Sequence, residues 1–510
     1  MPEPPSISHE SSVQPLLAFI SQSSRTGRVD RETQRRVHSH AQANYRRRTS
    51  RRKHQNTVEL NVAPPLRRDS THAELTQHRQ HPSPATILDA SRTDPFETFA
   101  LQGGRRAHQL WDHGRQSEFQ LQVLPDVEVY DGTCQKFRAL IAIGFIDLVR
   151  ESTALSQMLS ASAWHLVHFL RCEDDTGDDA KYSLISNQAL QRKLNDIVTG
   201  TSDDVVTAVL AAAAYANLIK DAVLFQTHMD GLSHILQHRG GEQTLDACPA
   251  LRLGLFWIET NGRFKQDSIP IYPLPYHLLV GRTKLNPIFT DLSRLSTNDK
   301  VIGDMQQQHN CNANAITKAI FDRLRQLTET VDKESPSVQE TTTTTSFWLD
   351  SFSWVYTIQP LLYELLSLPR ATRHDSPLLR RGECLRLGAI LYVCNIRYKL
   401  DPEPGTAMLH GTKLYSLLGS SPNLLSSWSD SDDAEDVATL IWILTVAACS
   451  VTLFDDLRRE FTVLLSTTLP STRIVTTFRQ FYTLIHRLPW SRAVLESELR
   501  NLHDELDLID

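Results

Sequence analysis

The stretch Thr201–Gly241, TSDDVVTAVLAAAAYANLIKDAVLFQTHMDGLSHILQHRGG, decides the fold of this chain. Its apolar residues recur at intervals of three and four, the period of an α-helix with one buried face. A single helix of about 38 residues would be long for a globular protein, so we predict two antiparallel helices that separate near Leu218–Ala222. Thr201 and Asp204 have the spacing of a capping box, and the paired glycines Gly240-Gly241 supply a C-terminal stop.

The same helical spacing continues on both sides of this stretch. Examples are KFRALIAIGFIDLV, LSASAWHLVHFLR and LRLGAILYVCNIRYKL. No alternating run of apolar and polar residues is long enough to build a sheet. We therefore predict an all-α fold, with a large multi-helix domain over residues 125–510. Two stretches rich in Ser, Thr, Pro or Asp, near residues 329–346 and 401–436, are predicted to be mobile loops within it.

The N-terminal quarter differs from this body in charge. The net charge of the 510-residue chain is −6, but residues 1–120 carry 18 basic and 12 acidic side chains, whereas residues 121–510 carry 35 and 47. A basic head on an acidic body indicates a segment that seeks a polyanion or a targeting receptor. We predict a disordered basic N-terminal region ahead of the helical domain.

This region divides into three parts. Residues 1–24 are rich in Ser, Pro and Gln and are predicted to be disordered. Residues 25–55 form a basic, Arg-rich segment that we expect to be partly helical. Residues 56–124 are polar and rich in His, Gln and Pro, and we interpret them as a linker that contains Asp94-Pro95-Phe96.

The basic segment is the strongest functional signal in the sequence. Residues 25–53 hold 11 basic side chains against two acidic ones. The basic residues form two clusters, the arrangement of a nuclear import signal, and the same charges would contact nucleic-acid phosphates with salt-dependent, sequence-independent affinity. The candidate residues for import and phosphate contact are Arg35, Arg36, Arg46, Arg47, Arg48, Arg51, Arg52 and Lys53.

Cysteine usage and hydropathy bound the compartment. The seven cysteines are scattered, never spaced as CxxC, and the first is Cys134. This pattern excludes a disulfide framework and a zinc finger and favours a reducing, intracellular location.

Val437–Phe454 is an uncharged run of 18 residues, the lower limit of a membrane span. Acidic residues flank it on both sides, so we predict a buried core helix and no membrane association.

Candidate catalytic and metal sites are weak. Asp174, Asp175, Asp178 and Asp179 could form an Asp-rich magnesium site of the kind used in isoprenoid chemistry, with Asn195, Thr199 and Asp203 as a second metal triad. Acidic stretches between helices are more often helix caps and solvated loops. His234 and His238 have the spacing of a zinc pair but no third ligand. We expect no catalytic residue, no metal and no cofactor, and keep a metal-dependent isoprenoid-type enzyme or small-molecule binder as an alternative.

Several short motifs carry a family resemblance in their order along the chain. They are His228-Met229-Asp230-Gly231-Leu232 with Arg239-Gly240-Gly241, Phe256-Trp257-Ile258-Glu259, Leu440-Ile441-Trp442, Arg458-Arg459-Glu460-Phe461 and Leu488-Pro489-Trp490, preceded by Glu32–His40 and Asp94-Pro95-Phe96. Together they resemble the ascomycete fungal-specific transcription factor domain. Within the first motif, His228, Gly231, Arg239, Gly240 and Gly241 are the residues that we assign to the family's structural pattern.

The resemblance implies a nuclear protein that takes part in transcription through a helical regulatory domain. The family's regulators often read DNA with a six-cysteine binuclear zinc cluster ahead of that domain, and this sequence has no cysteine before position 134. We therefore expect a member without that cluster. Its expected partners are a nuclear import receptor, other transcription proteins and DNA through the basic segment. An interaction scaffold that works with a separate DNA-binding regulator is the remaining alternative.

Overall fold

The chain folds as a set of packed α-helices in a computed structural model. The structure describes residues 104–116, 138–150, 152–171, 173–196, 199–280, 305–334, 354–398, 404–419, 422–450, 453–472 and 474–506. These ranges contain no β-strand, which confirms the all-α prediction. The predictions for residues 1–24 and 25–55, and for Asp94-Pro95-Phe96, lie outside the described residues.

The α-helices of six or more residues are numbered in chain order. They are α1 (Gly104–Gln116), α2 (Phe145–Arg150), α3 (Leu155–Trp164), α4 (Asp178–Leu194), α5 (Asp203–Leu218), α6 (Ala222–Arg239), α7 (Pro249–Gln266), α8 (Met305–Glu334), α9 (Gln359–Ser367), α10 (Pro377–Tyr398), α11 (Pro404–Gly419), α12 (Pro422–Ser429), α13 (Ala434–Ala448), α14 (Asp455–Thr468), α15 (Phe478–Arg487) and α16 (Arg492–Asn501). Short π-helical turns, His165–Phe169 and Trp354–Ile358, follow α3 and precede α9.

The Thr201–Gly241 stretch forms two helices, as predicted. α5 ends at Leu218 and α6 begins at Ala222, and the two pack against each other. The side chain of Asp221 accepts a hydrogen bond from the amide of Leu224 and caps α6. The break therefore falls where the sequence supplies a new N-cap.

The predicted capping box at the start of α5 is wrong. Ser202, rather than Thr201, is the N-cap, and its hydroxyl accepts a hydrogen bond from the amide of Val205. With Ser202 as the N-cap, the third helical position is Val205, which has no side-chain acceptor to close a box. The carboxylate of Asp204 instead accepts hydrogen bonds from Thr153 on the preceding segment and from Lys193. Asp204 therefore contacts residues distant in the sequence and does not cap its own helix.

α7 is the central helix of the fold. It packs against α2, α5, α6, α9 and α11, and its side chains are buried almost continuously from Leu251 to Phe264. Gly262 permits the close approach of α6, because a Cβ at this position would overlap the ring of Phe225. Other helices therefore surround α7 on several sides, and its polar residues must find partners inside the protein.

The uncharged Val437–Phe454 run contains a core helix, as predicted. Every residue of α13 from Val437 to Ala448 is buried. Trp442 is fully buried, and its indole Nε1 donates a hydrogen bond to the carbonyl of Pro489 at 2.8 Å. Within the described part of the chain, no helix combines the length and apolar character needed to cross a membrane.

The first correction concerns the linker predicted over residues 56–124. Its residues 104–116 form α1, which packs against α3. Ala107, Leu110 and Trp111 are buried, at 3 %, 0 % and 4 % exposure. These residues lie at positions i, i+3 and i+4, the spacing of an amphipathic helix. Three apolar residues among many polar ones are too few to predict a helix from the sequence.

The second correction concerns the two predicted loops. Residues 404–419 and 422–429 within the 401–436 stretch are helices α11 and α12, and α13 already begins at Ala434. The prolines that suggested a loop, Pro404 and Pro422, are the first residues of their helices, where a missing amide hydrogen costs nothing. Residues 329–334 are the end of α8, and residues 335–346 lie outside the described part.

Candidate functional site

Arg239 of the Arg239-Gly240-Gly241 motif connects the end of α6 to the start of α5. Its guanidinium donates hydrogen bonds to the carbonyl of Thr201 at 2.8 Å, to Asp203 Oδ1 at 2.7 Å and to the hydroxyl of Thr244 at 3.3 Å. A planar guanidinium suits such a site because it presents several donors in fixed directions. The arginine of the motif therefore has a structural role in the helix pair.

The two glycines of the motif end α6. Gly240 is the C-cap residue with φ 99°, and Gly241 follows with φ 109°. The amides of Gly240 and Gly241 donate to the last carbonyls of the helix, those of Gln237 and Leu236. Residues with a Cβ rarely adopt such angles, so the predicted stop signal is explained by backbone conformation.

The other two motif residues lie on α6 itself. His228 is half-buried, and burial lowers its pKa, although the nearby carboxylate of Asp221 acts in the opposite direction. Gly231 has no atom within 4 Å of the position that a Cβ would occupy. Nothing in the structure explains why this position is a glycine. His234 and His238 are exposed on the same helix.

The acidic segment Asp174–Asp179 serves helix α4 and its connection to α1. Asp175 accepts a hydrogen bond from the amide of Gly177. Asp178 pairs with Arg106 of α1 at 2.9 Å, and Asp179 accepts from the amide of Ala180. These contacts are local hydrogen bonds to backbone amides and an ion pair between helices.

The second predicted metal triad is not assembled on one helix. Asn195 is the C-cap of α4, Thr199 lies in the connection, and Asp203 is the first residue of α5, where it pairs with Arg239. Among the described residues, no group of three or more His, Cys, Asp or Glu side chains is placed to hold a metal ion. The basic residues from Arg35 to Lys53 lie outside the described residues.

A buried charge network, missed from the sequence, is centred on Asp267 at the end of α7. Its carboxylate makes a two-pronged pair with Arg386 of α10, at 2.9 and 3.1 Å, and accepts a hydrogen bond from Lys413 of α11 at 2.7 Å. Glu383 pairs with the same arginine at 2.7 Å. The side chains of Asp267 and Arg386 are 2 % and 1 % exposed. Asp267 is paired by residues of two other helices, and Arg386 is paired both by Asp267 and by Glu383 of its own helix.

The pKa of Asp267 reflects this environment. Burial acts to raise it, but the positive charges and hydrogen bonds of Arg386 and Lys413 prevail and lower it to about 2. His410 of α11 is fully buried beside this carboxylate, and burial lowers the pKa of its imidazole to about 4. Its Nε2 donates to the carbonyl of Phe264 at 3.1 Å. The network therefore holds an ionised aspartate next to a neutral histidine at pH 7.

Glu259 of the Phe256-Trp257-Ile258-Glu259 motif anchors the loop after α7. Its carboxylate accepts hydrogen bonds from the amides of Ile271 and Tyr272, at 2.6 and 3.2 Å. Burial raises the pKa of Glu259, and these amide hydrogen bonds and Arg263 act against that effect. The glutamate therefore fixes the backbone of this loop against α7.

An apolar pocket of about 80 Å³ lies between α2, α3, α5 and α7. Its apolar lining includes Phe145, Met158, Leu218 and Trp257. The polar residues on its wall are Gln157, Tyr215, Asn217, Asn261 and Lys265. A second pocket, of about 200 Å³, shares Asn217 and Lys265 with it and reaches the start of α11.

The comparison with known families decides the identity of the helical body. The model of the fungal specific transcription factor domain matches residues 119–499, about three quarters of the chain. The chain belongs to this family. No curated protein and no solved structure matches it. The suspected resemblance is thus confirmed, and membership in this family indicates a role in transcription regulation.

Further residues of the short motifs in the sequence lie where two elements meet. Arg458 donates to the carbonyl of Ala448 at 2.8 Å and pairs with Glu498 at 3.0 Å. Trp442 bonds to the backbone of Pro489. These residues, like Arg239 and Glu259, connect one element to another. Helix α1 precedes the matched range and nevertheless packs on α3 within it.

Proposed function

We propose that this member of the fungal specific transcription factor domain family regulates transcription in the nucleus, with the helical body as its regulatory and interaction module. The observation that carries the proposal is the family match over residues 119–499. We propose no catalytic role, because Asp175 holds a turn while Asp178 and Asp203 are engaged in ion pairs.

The proposal assigns nuclear import to the two basic clusters between Arg35 and Lys53. Adjacent arginines and lysines in short clusters are what import receptors recognise. Residues 121–510 are acidic overall. This charge difference supports the proposal that basic residues within the first 120 positions act as the import signal.

Contact with DNA is proposed to be independent of a zinc cluster within residues 1–133, because these residues contain no cysteine to ligate zinc. Two routes remain. The basic segment can contact phosphates directly, which gives affinity without sequence selectivity. A partner transcription protein can instead supply the sequence readout while the helical body binds that partner.

The import role is tested with a fluorescently tagged full chain. Replacement of Arg46, Arg47, Arg48, Arg51, Arg52 and Lys53 by Ala should shift the protein from the nucleus to the cytoplasm, because the receptor loses its ligand. The matched control replaces the five arginines by Lys and keeps Lys53, which preserves charge and should preserve nuclear accumulation. Unchanged nuclear accumulation of the Ala variant would contradict the import assignment.

The regulatory role is tested by a genome-wide map of chromatin occupancy for the full chain and for the same Ala variant carrying an independent import signal. Loss of occupancy in the variant supports direct phosphate contact. Occupancy retained in the variant supports recruitment by a partner protein. Absence of the unmodified chain from chromatin would overturn the proposal of a transcription regulator.

A further inference from the structure

The apolar pocket between α2, α3, α5 and α7 has the features of a binding site for a small molecule. Its apolar lining includes Phe145 and Ile146 of α2, Leu218 of α5 and Trp257 of α7. A volume of about 80 Å³ on this measure exceeds by several-fold what a single water requires. Apolar cavities of this kind hold small apolar ligands in preference to water.

Gln157 places an unused hydrogen-bond donor in this pocket. The residue lies on α3, lines the pocket and is only 2 % exposed. Its amide Nε2 is buried and has no hydrogen-bond partner among the described residues. A buried amide donor without an acceptor is costly, so an acceptor oxygen on a bound molecule would remove that cost.

The other polar groups on the wall are committed to the protein. Lys265 donates from Nζ to the carbonyl of Asn217 at 2.7 Å, and Asn217 donates to the carbonyl of Ile258 at 3.2 Å. Asn261 donates to the carbonyl of Trp257 at 2.8 Å. The hydroxyl of Tyr215 hydrogen-bonds with the side chain of Ser160. The buried Nε2 of Gln157 can therefore donate to a ligand without breaking any of these bonds, and the apolar side chains of the lining favour an apolar remainder of the ligand.

We propose that this pocket binds a small, uncharged, largely apolar molecule that carries a carbonyl-type oxygen, and that Gln157 donates to that oxygen. The binding event stands apart from the transcriptional role, and only its regulatory consequence rests on the proposed function. A failure of the import and chromatin experiments would therefore leave the pocket proposal intact, and a failure of binding would leave those experiments unaffected.

The test uses two probes of similar shape, acetophenone and ethylbenzene, which differ in the carbonyl oxygen. Each is titrated into the full chain, and binding is followed by ligand-observed NMR. We expect both probes to bind saturably. Gln157→Leu should weaken acetophenone about 3- to 10-fold, the effect of removing one hydrogen bond, and should change ethylbenzene less than about 2-fold. The difference between the affinity changes of the two probes separates the loss of the Gln157 hydrogen bond from any change in packing.

Two further variants complete the design. Gln188→Leu makes the same chemical change at an exposed position of α4 and should leave both affinities unchanged. Ala214→Met fills the pocket from α5 and should weaken both probes at least about 10-fold, with an unchanged circular dichroism spectrum as evidence of folding. The proposal is overturned if neither probe binds the unmodified chain, if Gln157→Leu weakens both equally, or if folded Ala214→Met binds both normally.

Discussion

Asp267 shows how a single residue can end a helix and organise a core. It adopts φ 50° and ψ 52°, a left-handed conformation that non-glycine residues seldom hold. The conformation is stabilised by Arg386, Lys413 and the nearby Arg370, which surround the carboxylate from α10, α11 and the segment between α9 and α10. Because its partners come from three parts of the chain, the strain at this one position is offset by interactions between helices.

His410 is expected to make the protein less stable in mild acid. Its pKa is lowered from 6.5 to about 4 by burial, so between these pH values the unfolded chain binds a proton that the folded chain does not. Stability therefore falls as pH decreases from 6.5 towards 4. From the size of the pKa shift, we expect the free energy of unfolding to decrease by about 2–3 kcal/mol between neutral pH and pH 4.5.

The measurement for His410 is urea unfolding at pH 7.5 and pH 4.5. The control is His410→Gln, which keeps a polar side chain but does not titrate, so the unmodified protein should lose more stability than the variant over this interval. Equal losses in the two proteins would show that His410 does not carry the pH dependence.

Gly240 and Gly231 make a matched pair of glycine positions on α6. Gly240→Ala should destabilise the protein by about 1–2 kcal/mol, because an alanine at φ 99° is strained. Gly231→Ala should instead stabilise it by about 0.5–1 kcal/mol, because the position is helical and its Cβ meets no neighbour. Thermal unfolding of both variants measures the difference. A loss of stability in both would indicate a packing role for Gly231 that the structure does not show.

At the scale of elements, buried ion pairs join helices far apart in sequence. Arg323 of α8 and Glu364 of α9 form a two-pronged pair, with Nε and Nη2 donating at 3.1 and 2.9 Å, and both side chains are almost fully buried. Burial raises the pKa of Glu364 to about 7, although Arg323 opposes this effect. Because both side chains are buried, solvent cannot replace the ion-pair partner of either group when that partner is removed.

We therefore expect the single substitution and the double substitution at this pair to differ sharply. Arg323→Met alone should cost about 3–5 kcal/mol, because it leaves an acidic group buried without its partner. The double variant Arg323→Met/Glu364→Leu should recover most of that loss, since apolar side chains fit a buried site. Urea unfolding gives both values. A double variant no more stable than the single one would mean that the pair contributes specific geometry and not only charge balance.

Most elements could be predicted from sequence, for physical reasons that also explain the failures. The period of apolar residues in Thr201–Gly241 indicates helix, and the usual length of globular helices indicates the break near Leu218–Ala222. The acid-flanked uncharged run at Val437 indicates a core helix. The polar surroundings of α1 hide its short apolar stripe. Pro404 and Pro422 resemble loop residues although they begin helices. In each of these failures, local composition outweighs a signal that only packing makes visible.

The candidate site could be predicted only in part. The Arg239-Gly240-Gly241 turn follows from helix-stop chemistry and from the family resemblance. The pairing of Asp267 with Arg386 could not be predicted, because 119 positions separate the two residues. The residues around each of them contain no pattern that identifies its partner. The only local trace is an arginine within the apolar run LRLGAIL. The unpartnered amide of Gln157 leaves no mark at all in the sequence.

At the scale of the whole molecule, the charge asymmetry predicts salt-dependent binding to nucleic acid. The full chain should bind a random-sequence duplex with an affinity that falls steeply as salt rises. Every phosphate that a variant no longer neutralises should reduce the slope of log K against log salt concentration by about 0.9. The variant with Ala at positions 46–48 and 51–53 should therefore show a slope smaller by up to about 5. A slope identical in both proteins would remove the phosphate-binding role of these residues.

Helix α1 also determines where the helical body can be cut. A fragment that begins at residue 119, the first matched position, lacks Ala107, Leu110 and Trp111 together with the ion pairs of Arg106 to Glu173 and Asp178. The surface of α3 that they cover would then face water, and exposed apolar patches of this kind promote self-association. We expect fragment 119–510 to elute as aggregates in size-exclusion chromatography and fragment 100–510 as a discrete species. Soluble behaviour of both would show that the body tolerates the removal of its first helix.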